Sequence, residues 1–176
     1  MSNPSWQEID VYADNYNPFA LFHHTWALVA AADKTAPVKM NMMTASWGGL
    51  GILWNQPVAT VYIRPQRHTK IFVDNADIFS LSFLPESHRN ALQYCGKVSG
   101  RDEDKSKGSG LTVVHDEAGG VWFAEAELVL LCRKLYVQEM QAGCFIDTDI
   151  QSRFYPDADM HTLYVGAIQR CFVKRG

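Results

Sequence analysis

Basic charge is in short supply. Against 19 Asp and Glu stand 16 Lys and Arg, a net charge of -3, without the cationic surplus that displaces counterions from a phosphate backbone. Nucleic acid is therefore not an expected partner. Cysteine is scarce as well: Cys95, Cys132, Cys144 and Cys171 are widely spaced and form no CxxC pair. That excludes a disulfide framework and predicts reduced, mostly buried thiols. Long apolar runs are missing. The longest, residues 19–32, is interrupted by His23, His24 and Thr25 and falls short of the ~20 residues that span a bilayer. Residues 1–14 are polar and acidic, with no basic segment leading into an apolar one, so a cleaved secretion signal is not expected. Together these absences predict a cytoplasmic protein with no membrane partner.

What is present is aromatic bulk. The 176 residues are 47% hydrophobic and include 5 Trp, 7 Tyr and 9 Phe, with 20% charged. That is the reverse of a disordered composition, and the length suits a single domain over residues 1–176.

Short apolar runs at 26–31, 40–46, 58–63 and 71–73 are rich in Val, Ile, Trp and Tyr and are separated by turn residues. They predict strands, as does 79–84. After Pro85, the residues His88, Ala91, Leu92 and Cys95 fall at i, i+3, i+4 and i+7, a short amphipathic helix that Gly96 should stop. Residues 99–110 are charged and glycine-bearing and read as a surface loop. In 121–136, Trp122, Ala124, Ala126, Leu128, Leu130 and Cys132 alternate with Phe123, Glu125, Glu127, Val129, Leu131 and Arg133. The period of 2 outweighs the helix propensity of Ala, Glu and Leu and predicts one long strand. Residues 162–173 read as a last strand. The expected fold is mostly β with one or two short helices, its antiparallel sheet closed or nearly closed into a barrel that removes exposed edges.

Several familiar motifs fail on inspection. Gly48, Gly49 and Gly51 suggest a dinucleotide fingerprint, but Trp54 stands where its third glycine belongs. Lys105-Ser106 ends like a phosphate loop, yet Asp104 occupies the required glycine position. No GxSxG elbow is present for a hydrolase nucleophile. His23-His24 and the acidic run Asp157, Asp159 and His161 hold metal-ligand atoms, but adjacent histidines on a strand would point to opposite faces, so no metal is expected.

Two segments persist as candidates. Asn41-Met42-Met43-Thr44-Ala45-Ser46-Trp47-Gly48-Gly49 joins a strand end, hydroxyl donors, a large aromatic and exposed backbone amides, the parts that hold a planar ring. Arg64-Pro65-Gln66-Arg67-His68-Thr69 sets two guanidinium groups, an amide and a hydroxyl around a proline bend, a grip for phosphate. The residues alone leave a polar hairpin turn and a solvated basic loop equally open.

These same segments resemble the flavin reductase-like FMN-binding family, specifically its flavoredoxin-type branch. The stretch from Pro57 through Arg64-Pro65-Gln66-Arg67-His68-Thr69 matches, as do Phe79-Ser80-Leu81-Ser82-Phe83-Leu84, Ala91-Leu92-Gln93-Tyr94-Cys95-Gly96, Ser99-Gly100-Arg101-Asp102-Glu103-Asp104-Lys105, Cys132-Arg133-Lys134-Leu135-Tyr136 and His161-Thr162-Leu163-Tyr164-Val165-Gly166. The likeness starts near Pro18, leaving residues 1–17 as an N-terminal extension. Two departures stand out: His68 replaces an expected tyrosine, and Lys97-Val98 replaces a small polar pair.

The resemblance implies an FMN-binding split β-barrel that forms a homodimer with the flavin near the interface. It also implies roles. Asn41, Met43, Thr44, Ala45 and Ser46 would line the flavin ring with Trp47 beside it. Arg64, Gln66, Arg67 and Thr69 would hold the ribityl chain and phosphate, with Lys105 as a second cation. Ser82 and Phe83 would be wall residues, and His161 a catalytic candidate on the nicotinamide side. Trp47 as plain core, Lys105 as a solvated loop lysine and His161 as a satisfied interface histidine stay open beside these roles. The implied activity is an NAD(P)H-dependent reductase, with hydride passing from NADH or NADPH to flavin N5 and electrons going on to a small-molecule or protein acceptor. A flavoredoxin-like electron carrier without a strong NAD(P)H site, or a non-catalytic flavin-binding module, are the alternatives.

Overall fold

Most of the apolar runs become strands, as the computed structural model shows for residues 6–13, 15–36 and 39–174. In chain order the elements are β1 (Trp6–Ile9), α1 (Pro18–Ala20) running into a π-helical turn (Leu21–Thr25), β2 (Ala27–Ala32), β3 (Met40–Ala45), β4 (Gly48–Leu53), β5 (Gln56–Ile63), α2 (Thr69–Asn75), β6 (Ile78–Phe83), α3 (Arg89–Lys97), α4 (Lys105–Gly108), β7 (Val113–His115), β8 (Val121–Phe123), β9 (Leu128–Glu139), α5 (Thr148–Phe154) and β10 (Thr162–Lys174). The main sheet runs β3-β2-β6-β9-β10-β5-β4, with β1 added along β10 and β7-β8 as a separate pair. Every pairing is antiparallel.

The sheet is open. Its end strands, β3 and β4, follow one another in the chain and are joined only by Ser46 and Trp47. On its inner face Ala27, Val29, Ala31, Phe79, Leu81, Phe83, Leu128, Leu130 and Tyr164 form one buried cluster. Their neighbours in sequence, Leu28, Ala30, Val129 and Leu131, point outward and are covered by Leu92 and Cys95 of α3, by Trp122 and Phe123 of β8 and by Phe172. This two-sided burial explains why β2 and the first half of β9 are apolar throughout rather than alternating.

Gly48 opens β4 because nothing larger fits. A Cβ there would lie 2.3 Å from the Phe22 ring and 2.6 Å from the Thr60 carbonyl oxygen. At its far end, β4 turns into β5 through Trp54 and Asn55, at φ 51° and 56°, the signature of a type I′ hairpin.

Several sequence expectations need correction. Residues 71–73 lie in the helix α2, not in a strand; three apolar residues carry no readable period, and tertiary contacts decide. The Tyr164 hydroxyl donates to the Asp74 carboxylate at 2.5 Å, and Lys134 Nζ donates to the carbonyls of Val73 and Asp74, both at 2.7 Å, capping the helix end. Residues 121–136 are two strands. A turn intervenes, with Ala126 N–H bonded to the Phe123 carbonyl and Glu127 N–H to that of Phe83, and across it the even-numbered residues change sides: Trp122 and Ala126 pack in the outer cluster, Leu128, Leu130 and Cys132 in the inner one. Gly96 does not end α3, which reaches Lys97. The 99–110 loop contains the short helix α4, and its first residue is buried. His23 and His24 are not on a strand; they sit on the π-helical turn with ring centroids 4.7 Å apart. Helical segments also outnumber those read from sequence, and β4 was hidden by its glycines. Among the described residues no helix is long and apolar enough to cross a membrane. Cys95, Cys132 and Cys171 are buried and Cys144 is exposed, and none of the four is in a disulfide.

Candidate functional site

A pocket of about 210 Å³ lies where the Ser46-Trp47 link crosses from one sheet end to the other. Met43, Thr44, Ala45, Ser46, Trp47, Tyr62, Arg64, Arg67 and His161 line it. The end of β3 thus supplies one wall, and β5 with the bend that follows supplies the other. Thr44 is fixed by donating its hydroxyl to the Leu92 carbonyl at 2.5 Å, which ties this wall to α3. Tyr62 was missed by sequence reasoning. Its signal was available: Val61 and Ile63 on either side are buried inward, so period 2 turns Tyr62 to the opposite face.

Beside the pocket two cations converge on the C-terminal end of α3. Arg67 Nη1 donates to the Gly96 carbonyl at 2.6 Å and Nη2 to the Cys95 carbonyl at 3.3 Å. Lys105 Nζ donates to the same Cys95 oxygen at 3.1 Å. Lys105 is only 3% exposed. Asp104 caps α4, its carboxylate accepting the Ser106 N–H at 3.1 Å, and this turn directs the lysine inward. Among the described residues neither cation makes an ion pair. Burial lowers the Lys105 pKa to about 8, and the Arg67 charge adds to the effect. The Cys95 thiol cannot balance them, because burial pushes its own pKa up to about 11 and leaves it neutral.

Unmet polar groups surround this pair. Asn41 is 4% exposed, and among the described residues its Nδ2 has no hydrogen-bond partner. It packs so closely on Gly100 that a Cβ there would lie 2.5 Å from its amide. His68 Nδ1 is likewise buried without a partner. Burial lowers the His68 pKa, helped by the positive charges of Arg101 and Lys105.

The opposite end of the pocket has its charge already balanced. Arg64 pairs with Asp159 and donates Nη2 to the Phe154 carbonyl at 2.8 Å. Gln66 Nε2 donates to the same Asp159 oxygen at 2.8 Å. Trp47 packs between Phe154 and His161, at ring-centroid distances of 5.6 and 4.9 Å. His161 is buried, its Nδ1 2.8 Å from the Tyr155 hydroxyl. Burial and the Arg64 charge lower its pKa to about 4, so it is neutral near pH 7.

Of the residues singled out in the sequence, the structure therefore gathers Met43, Thr44, Ala45, Ser46, Trp47, Arg64, Arg67 and His161 around one pocket. Asn41 and Lys105 are buried beside it. Gln66 is turned to Asp159, and Thr69 is buried at the start of α2. Ser82 and Phe83 do not line the pocket, because alternation along β6 carries both into the body of the sheet. Ser82 lies opposite Leu28 and Val129, and the Phe83 ring packs 5.7 Å from Phe22. Asp159 and Tyr155 belong to the loop before β10 and were not foreseen in these roles.

The flavin reductase like domain family matches residues 19–176, and the chain belongs to that family. The fold is similar to an FMN-binding domain of a flavin reductases-like enzyme from Shewanella baltica OS155, at 14% identity and TM-score 0.70, over 99% of this chain and 80% of that one. It is similar to flavoredoxin from Methanosarcina acetivorans, at 21% identity and TM-score 0.67, over 96% and 76% of the two chains. A putative flavin reductase with split barrel domain from Shewanella frigidimarina aligns at 16% identity and TM-score 0.68, over 86% and 68%. At such identities the likeness establishes the fold, a split β-barrel, as the sequence led one to expect. No curated protein matches the chain in sequence.

Proposed function

We propose that the protein is an FMN-dependent oxidoreductase that accepts hydride from NADH or NADPH and passes electrons to a small-molecule or protein acceptor. The observation that carries this reading is the pairing of half-buried Arg67 with buried Lys105, held among the described residues by backbone carbonyls. Two cations without an anion are costly to bury and become favourable when a phosphate dianion arrives. The partnerless Asn41 Nδ2, packed on Gly100 in the stretch that leads to Lys105, offers one more donor. The residues present thus fit a flavin mononucleotide, and the neighbouring structures whose descriptions name FMN-binding domains and flavoredoxins support the choice.

In this reading Arg67 and Lys105 bind the terminal phosphate. Met43, Thr44, Ala45 and Ser46, with Trp47 and Tyr62, orient the ring and keep water from it. FMN, when bound, supplies the hydride and electron chemistry itself. His161, neutral and half-enclosed by Trp47, serves the substrate side of the pocket.

The working assembly in this reading is a homodimer. Trp54 and Tyr136 are both exposed, with their rings 6.5 Å apart. A bulky Trp at φ 51° in an exposed turn is a costly arrangement that a partner surface would repay.

The test is anaerobic addition of NADH and of NADPH to the flavin-loaded protein, with the flavin absorbance followed. Rapid bleaching by either nucleotide is expected. Bleaching by dithionite or a reduced protein partner alone would instead mark an electron carrier.

A further inference from the structure

The two ends of the pocket differ in kind. At the Arg67 and Lys105 end charge is unbalanced, whereas at the His161 end Arg64 is neutralised by Asp159. A group bound at the second end meets hydrogen-bond donors rather than a free cation, which suits an uncharged carbonyl oxygen better than an anion. What His161 offers there depends on which of its ring nitrogens carries the proton.

Geometry decides that question. The Tyr155 oxygen lies 2.8 Å from His161 Nδ1 and 3.7 Å from the Met140 sulfur. The hydroxyl has one proton to give. Donated to Met140, it would require Nδ1 to carry the ring proton and present a bare Nε2 to the pocket. Donated to Nδ1, it places the ring proton on Nε2. An imidazole nitrogen is a far stronger acceptor than a thioether, and it is also closer, so the second arrangement wins.

We propose that Tyr155 is a positioning residue that holds His161 in the Nε2–H form, a neutral donor to a carbonyl oxygen of the substrate in the pocket. This rests on the oxidoreductase reading only for the identity of that substrate. The surroundings keep both partners in the required state. Burial and Arg64 hold the imidazole neutral against the opposing pull of Asp159. Burial, with Asp159 and Tyr62 nearby, keeps the phenol protonated although Arg64 works the other way. The Arg64 guanidinium lies 5.2 Å from the Tyr155 ring centroid, and Trp47 lies against the imidazole at an interplanar angle of 38°. The imidazole therefore cannot swing aside without losing its packing on Trp47, nor flip without losing the Tyr155 hydroxyl.

Protein labelled with nitrogen-15 histidine gives the tautomer directly from long-range proton–nitrogen correlations, with or without flavin. Wild type should show His161 neutral with its proton on Nε2 at pH 7. Tyr155→Phe, which keeps the ring, should mix the two tautomers. In Tyr155→Phe the KM for the hydride donor should rise roughly tenfold, the usual effect of one lost hydrogen bond, with kcat changed less. Met140→Leu should leave the tautomer as in wild type. An Nδ1–H signal in wild type, an unchanged tautomer in Tyr155→Phe, or a switch caused by Met140→Leu would each overturn the proposal. Should Tyr155→Phe not fold, the wild-type and Met140→Leu spectra still decide. If the nucleotides fail to reduce the flavin while the spectra come out as expected, the assignment of the substrate fails and the tautomer lock stands.

Discussion

Arg67 and Lys105 come from different elements, yet they donate to one acceptor, the carbonyl oxygen of Cys95, at 3.3 and 3.1 Å. Two cations on one backbone oxygen, Lys105 buried and Arg67 half-buried, repel each other, and the partial negative charge at a helix C-terminus compensates them only in part. The fold holds them there because β5 leads into the bend at residues 64–68 while the capped turn of α4 points Lys105 back toward α3. The resulting site is short of one anion.

Arg67→Ala should weaken FMN binding by about 1.5–3 kcal/mol, the range for a charge-assisted hydrogen bond lost from its partner, or roughly one to two decades in Kd. Flavin fluorescence titration measures it. Unchanged affinity would mean that the phosphate is held elsewhere.

Affinity should also depend on pH. Burial sets the Lys105 pKa at about 8 in the free protein, and a bound phosphate dianion favours the charged form and raises it. Binding is therefore strongest below that value and falls as pH rises through it, because a proton must then be taken up. Near pH 6 and below, protonation of the phosphate itself weakens binding. Lys105→Met should bind FMN more weakly throughout and lose the fall above pH 8. Titrations across this range check both curves, and a flat wild-type profile would remove Lys105 from the phosphate site.

Much of this arrangement was legible in the sequence, and the parts that were not have physical reasons. Strands β2, β3, β5, β6 and β10 were readable because each has enough apolar residues to be told from a helix. Residues 71–73 were too few for that, and the Tyr164 and Lys134 contacts that settle α2 come from distant strands. Residues 41–49 and 64–69 carried side chains suited to a ring cradle and a phosphate grip, but a polar turn and a solvated loop were equally open from the residues alone; what the structure adds is that Met43, Thr44, Ala45, Ser46, Trp47, Arg64 and Arg67 line one pocket. The burial of Lys105 was not visible, since a lysine in a charged, glycine-bearing stretch looks the same whether it points in or out. Nor could the sequence show that Asp159 would claim Arg64 and Gln66, because that contact needs the loop before β10 to fold back over the bend.

Gly48→Ala should destabilise the protein by about 1–3 kcal/mol, the usual cost of overpacking, since the added methyl meets the Phe22 ring and the Thr60 carbonyl. Thermal unfolding should show Tm lower by roughly 2–4 °C for each kcal/mol. An unchanged Tm would mean that the seam between β3 and β4 gives way more easily than its packing implies.

The apolar surface around Trp54 and Tyr136 should be covered by a second copy of the chain. An interface above ~1,600 Å² in total is expected of a stable homodimer, so sedimentation should give a dimer at low micromolar concentration. Trp54→Asp should give monomers. A wild-type monomer that binds FMN tightly would show that the site is complete within one subunit.

The most direct test of the central claim is to load the purified protein with an equal mixture of FMN, FAD and riboflavin, remove unbound flavin, release the bound fraction by denaturation and separate it by chromatography. An unbalanced pair of cations, one buried and one half-buried, should select the terminal phosphate monoester, so FMN is expected to dominate, and its excess over riboflavin should shrink in Arg67→Ala. Recovery of FAD or riboflavin in preference to FMN, or of no flavin at all, would contradict it.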